Sequence, residues 1–211
     1  MDVLPLAALL PFITASVIIE STPGPNMAYL AIVSLNDGRK AGYAVTAGVA
    51  LGLLAIGIAC ALGVDTLITN SELAYQGLRV AGVGYLFWLA WDGWRAEGEI
   101  SPTKTDGSIK RGKFFRRGLI TNLLNPKAAI FYIAILPGFA ISSDQVLPQI
   151  LMLTAVYVTI ATAIHIFIVS LAGSLRPFLE NPKKRLIVRR ILSALLALVA
   201  IWFAVTTGKG I

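Results

Sequence analysis

The chain has 211 residues, 56% of them hydrophobic and only 14% charged, with a net charge of +7. Soluble domains carry about 25% charge, so this composition excludes an ordinary soluble enzyme and points to an integral membrane protein. One cysteine and one histidine rule out an internal disulfide and leave too few soft or imidazole ligands for a metal centre. No metal site and no cofactor are expected.

Apolar runs of roughly 20 residues, enough to cross a bilayer, recur six times. The first, Leu4–Leu35, is interrupted by Pro23-Gly24-Pro25-Asn26. No basic residue precedes it and no small-residue cleavage site follows, so a cleaved signal peptide is not expected. The second, Ala41–Leu67, is glycine-rich and contains Cys60, read as a small packing residue. Its Gly48 and Gly52 form a GxxxG spacing for close helix contact, within the bundle or alternatively in a homodimer. The third, Ala74–Trp94, ends in Trp88, Trp91 and Trp94 just before Arg95, as expected of indole rings at a membrane interface.

The fourth, Phe114–Phe139, is interrupted by Asn125-Pro126-Lys127. The fifth, Leu147–Ser170, places Thr154, Thr162 and His165 on one helical face with Thr159 beside it. The sixth is Ile187–Thr206. The connections are short. We therefore expect an all-α integral membrane protein, with residues 1–211 forming a single transmembrane domain.

The positive charge is distributed with one sign of asymmetry. Of 18 basic residues, 15 fall in the connections between spans one and two, three and four, or five and six or in the first turn of the span that follows, all on one side of a six-span chain. Cytoplasmic loops collect Lys and Arg, so both termini are expected outside. The basic loop at about 95–113 is expected inside, where it can meet anionic lipid. Orientation accounts for the charge without nucleic acid.

Spans one to three and four to six share one order, a broken helix and then two unbroken ones. Three spans per half would make the halves, about 1–95 and 114–211, inverted copies, the 3+3 design of many secondary transporters. Pro23 stands 12 residues before Leu35, and Asn125 stands 11 residues after Phe114. Both breaks would lie about 17 Å deep, near the midplane of the bilayer, where they could meet. A freed backbone group is costly in hydrocarbon, so such breaks belong in buried or wet places. Helix packing alone is the plainer use of such prolines.

New half-helices are expected to begin after Pro25-Asn26 and after Asn125, a good N-cap followed by Pro126 at the first helical position. Their positive ends would face the midplane, and Lys127 would add a full charge, which suits a carboxylate. Glu20, just before the first break, could accept an ammonium group or a proton. Together they describe a site for a zwitterionic amino acid. The structural alternative is an ion pair between Glu20 and Lys127. His165 is a candidate proton relay, with interhelical hydrogen bonding as its alternative.

The same residues carry a resemblance. Thr22-Pro23-Gly24-Pro25-Asn26, Gly38-Arg39-Lys40-Ala41-Gly42 with Gly48 and Gly52, and Gly84-Tyr85-Leu86-Phe87-Trp88-Leu89 resemble the LysE/RhtB-type amino-acid exporters. So do Gly118, Asn122, Asn125-Pro126-Lys127-Ala128, Phe131 and Pro137-Gly138-Phe139. Ala90 and Gly138 stand where the family often has Gly and Gln, and the last two spans match only in general character. The resemblance implies efflux of amino acids or their derivatives, driven by protons, across a bacterial inner membrane. It adds Asn122 to the candidate substrate residues Pro23, Gly24, Pro25, Asn26, Asn125, Pro126 and Lys127, beside Glu20 and His165 for coupling. A metal-cation exporter and a non-transporting membrane assembly subunit are the competing functions. An intramembrane enzyme is disfavoured by the lack of an acid, base and nucleophile set or an HExxH motif.

Overall fold

A computed structural model describes residues 4–22, 24–63, 72–95, 107–140, 146–175 and 182–206. Among them every regular element is helical. Helix α1 (Leu6–Ser21) and α2 (Pro25–Asn36) flank the first break. Pro25 opens α2 because its missing N–H is not needed at a helix start. The turn at Asp37-Gly38 reverses the chain, and Gly38, at φ 91°, supplies the left-handed conformation that starts α3 (Arg39–Ala61).

The second span was expected to reach Leu67. Its helix ends at Ala61, where Gly63 turns out at φ 81°, and residues 64–67 lie outside those described. Helix α4 covers Glu72–Arg95. Helix α5 (Gly107–Leu123) begins well before Phe114, so the end of the expected basic loop is an exposed helical extension carrying Arg111 and Lys113.

After the second break comes α6 (Pro126–Ile130), which does not continue as a regular half-helix. It widens into a π-helical turn at Phe131–Ile135 and tightens into a 3-10 turn at Leu136–Phe139. Pro137 has no N–H to donate, so the ladder cannot return to α-helical form through it. Helices α7 (Val146–Ser174) and α8 (Pro182–Thr206) complete the chain.

Two single helices, α3 and α7, are long and apolar enough to cross a membrane. The pair Arg111–Leu123 and Lys127–Phe139, bent by 52° at its break, has the length and apolarity of either a broken third span or a re-entrant loop. Helix α3 is the centre of the assembly, packed on α5, α7 and α2, while α4 pairs with α8 and α8 leans on α2.

The α3–α5 contact is close because glycines face backbone on both sides. A Cβ at Gly48 would strike Phe115 and Leu119, and one at Gly118 would strike Val45. Gly52 lies against Asn122, and Gly57 against Thr154 and Tyr132. The GxxxG stripe is thus filled by this chain's own helices.

Candidate functional site

The two breaks come together. Lys127 Nζ donates to the Thr22 carbonyl at 2.8 Å. That carbonyl ends α1 and has no partner within its own helix, so a cation at the negative end of the helix satisfies it. Gly24 is buried beside the same side chain; a Cβ there would sit 3.3 Å from Lys127 Cδ and 3.7 Å from Nζ. Asn125 caps α6 as expected, its Oδ1 accepting from the Lys127 N–H at 3.1 Å. Pro126 takes the first helical position of α6, as Pro25 does in α2. Pro23 lies outside the described residues.

Asn26 and Asn122 join the two halves directly. Asn26 Nδ2 donates to Asn122 Oδ1 at 2.8 Å. Their other ends, Asn26 Oδ1 and Asn122 Nδ2, are buried without a hydrogen-bond partner. Leaving a buried amide half-satisfied costs about 1–3 kcal/mol. The amide pair therefore leaves one acceptor, on Asn26, and one donor, on Asn122 against Gly52, unused among the described residues.

Glu20 is buried, at 5% exposure. It forms no ion pair with Lys127. Its Oε1 accepts from the Tyr157 hydroxyl at 2.5 Å, and its Oε2 lies 3.5 Å from His165 Nε2. Lys127 exerts only a longer-range attraction on it. Tyr157, Ala161 and His165 follow one another at helical spacing on the face of α7 that meets α1, and all three are buried. Thr154 shares that buried face and Thr162 is half-buried, whereas Thr159 is exposed and back-bonds to the Ala155 carbonyl at 2.8 Å. The expected face is thus buried at Thr154 and His165 and half-buried at Thr162, with Thr159 beside it on the exposed side.

Three features were missed on sequence. Tyr157 is one; its apolar neighbours hide a polar tip, and only its four-residue steps from Ala161 and His165 hinted at a shared face. Ser16, one turn before Glu20 on α1, is another: its hydroxyl is fully buried and unpartnered. The third is a cluster in the middle of α5, where Arg117 pairs with Asp92 of α4 at 2.8 Å and lies 5.1 Å over the Trp88 ring.

Aromatic rings pack beside the Glu20 carboxylate. Tyr157 stacks on Phe131 with centroids 3.7 Å apart and planes at 15°. Phe12 meets Phe131 at 6.0 Å and Phe139 edge-on at 5.2 Å. Cys60 Sγ donates to the Tyr132 carbonyl at 3.2 Å, bonding the backbone of the π-helical turn. The thiol has a structural partner as well as a small volume.

The model of the LysE type translocator family matches residues 17–207, so the chain belongs to that family, and its membrane-spanning helices are those of a multi-pass membrane transporter. A homoserine/homoserine lactone efflux protein of Salmonella typhimurium is 28% identical over 188 residues, covering 89% of this chain and 91% of the relative. An uncharacterised membrane protein of Vibrio cholerae is 28% identical over 178 residues, covering 82% and 84%. The YahN membrane protein of Escherichia coli is 37% identical over 133 residues, covering 62% and 60%. No solved structure matches the chain.

Proposed function

We propose that this translocator exports small amino acids or closely related metabolites across the bacterial inner membrane, driven by protons. The observation that carries it is the meeting of the two helix breaks. Lys127, the open Asn26–Asn122 amide pair and a separate buried carboxylate at Glu20 gather there. The ammonium of Lys127 has two donors beyond the one that Thr22 takes, enough for a substrate carboxylate. Glu20 and the unused Asn26 oxygen can accept from a substrate ammonium. Glu20 and His165 are the groups that carry the coupling proton.

In this reading the chain is one domain of six spans, arranged as a 3+3 inverted repeat with both termini outside. Pro23, Gly24, Pro25 and Pro126 shape the breaks, and Asn125 holds the second one open. The supports are the basic-loop asymmetry and the juxtaposition of the breaks. The Salmonella relative is named for efflux of homoserine and its lactone, so homoserine is the first compound to test.

The experiment is reconstitution of the purified protein in proteoliposomes loaded with labelled homoserine and, in parallel, a panel of other amino acids. Release accelerated by an imposed proton gradient supports the proposal. Release of no amino acid in the panel, by folded protein, refutes it.

A further inference from the structure

Glu20 is held by two side chains of α7, and one of them also touches the aromatic cluster. We propose that Tyr157 is the positioning residue for the Glu20 carboxylate and links it to a plug of Phe12, Phe131 and Phe139 that closes one end of the site. The inference rests on the transport reading for its purpose, but not for its geometry.

The chain of contacts is continuous. The Tyr157 hydroxyl donates to Glu20 Oε1, and the Tyr157 ring lies flat on Phe131. Phe131 in turn meets Phe12, which meets Phe139. Phe12 is on α1, eight residues before Glu20, or about 12 Å along the helix. Helix α1 is therefore fastened at two heights: by a polar contact at Glu20 and by an aromatic one at Phe12. With both termini outside, the aromatic end faces outward.

The polar fastening depends on charge. A hydrogen bond to a carboxylate is roughly twice as strong as one to a neutral group. A proton on Glu20, or a substrate ammonium set against it, weakens the hold on Tyr157. The three groups around the carboxylate are Tyr157, His165 and, at longer range, Lys127. Of these only Tyr157 reaches the plug.

The plug is built to move. Phe131 begins the π-helical turn and Phe139 ends the 3-10 turn. A π-helical turn inside a helix is uncommon and recurs at functional sites. Loosening Tyr157 frees Phe131 on the segment whose helical ladder is already irregular.

Ser16 supplies the reporter. It is fully buried between Phe12 and Glu20 on α1 and has no partner to lose. Full-length protein carrying Cys60→Ala and Ser16→Cys is placed in vesicles, and an impermeant thiol reagent is added from each side in turn. Tyr157→Phe keeps the ring and removes the hydroxyl; Glu20→Gln removes the charge.

Each substitution should raise labelling from the plug side by about tenfold or more, the worth of one charge-assisted hydrogen bond. The double variant should label no faster than the faster single one. Phe131→Ala should raise labelling whether residue 20 is Glu or Gln. Unchanged labelling in Tyr157→Phe overturns the link. So does a double variant whose gains multiply, or a gain seen equally from both sides, which marks general loosening.

If Ser16→Cys does not fold, Ala161→Cys reports from the facing position on α7. Homoserine release is measured on the same vesicles. Non-additive labelling without release leaves the link standing and removes the transport reading. Release with unchanged labelling does the reverse.

Discussion

Lys127→Ala is the substitution that interrogates the proposed substrate site most directly. Lys127 is half-buried and already gives one hydrogen bond to the Thr22 carbonyl. Removing it does two things. It unpairs that carbonyl, which destabilises the protein by about 1–3 kcal/mol whatever ligand is present. It also removes the cation that faces a substrate carboxylate. Stripping one partner from a buried ion pair costs about 3–5 kcal/mol, and half-burial puts this site at the low end, near 3 kcal/mol.

Since 1.4 kcal/mol is about tenfold in affinity, homoserine should outcompete its decarboxylated amine by about a hundredfold in the unmutated protein. In Lys127→Ala the two should converge. The assay is inhibition of labelled homoserine release by each compound, and the ratio cancels expression and stability losses. Gly24→Ala gives a graded version. Its backbone, at φ −157°, accepts a side chain, but the new Cβ would crowd Lys127 Cδ at 3.3 Å. It should shrink the ratio by a few-fold without unfolding the protein. Asn26→Ala and Asn125→Ala should shrink it more weakly than Lys127→Ala, because neither removes a charge. Equal inhibition by amine and amino acid in the unmutated protein refutes the carboxylate site and leaves the breaks as hinges or packing devices.

Three further outcomes are expected. Glu20→Gln should abolish proton-driven accumulation while thermal unfolding in detergent shows a folded protein; Lys127→Met should not rescue it, because Glu20 is paired with α7 and not with Lys127, and undiminished accumulation removes Glu20 from coupling. Gly48→Ala should destabilise by about 1–3 kcal/mol through forced separation of α3 and α5, whereas Gly84→Ala, with open space around it, should be neutral or stabilising by up to about 1 kcal/mol; equal unfolding temperatures for the two variants would remove close α3–α5 contact as the role of the stripe. In a Cys60→Ala background, Ser71→Cys should react with an impermeant thiol reagent from outside and Ser108→Cys should not; equal external labelling contradicts the orientation.

The helices were legible because hydropathy is a sum over many residues. Helices α3 and α7 sit where long apolar runs required them, and the breaks sit where Pro, Gly and Asn forbid a continuous ladder. Ends were less legible. Gly63 turns left-handed just past the end of α3 at Ala61 while the apolar run continues, so hydropathy alone did not mark that end. Beyond Asn125 the sequence called for a simple half-helix. Pro137 cannot donate to the ladder, and packing of Phe131 and Tyr132 against Tyr157 accompanies a π-helical turn that no local motif announces.

The partners of Glu20 were the least legible part, and the reason is physical. On sequence Lys127 is the obvious counter-ion, since it stands at the corresponding break in the other half. In the folded chain that lysine is drawn to the Thr22 carbonyl at the end of α1, a helix-end acceptor with no partner inside its own helix. The carboxylate is left to α7. That helix is strongly apolar, and its polar face shows in sequence only through Thr154, Thr162 and His165, so Tyr157 reads as one more aromatic residue. Keeping Lys127 and Glu20 apart has a consequence under the proposed function. Had they neutralised each other, a zwitterion would have to break an ion pair to enter. Held separately, by a backbone carbonyl and by a phenol with a histidine beside it, each retains a charge that a substrate can meet with its own opposite end.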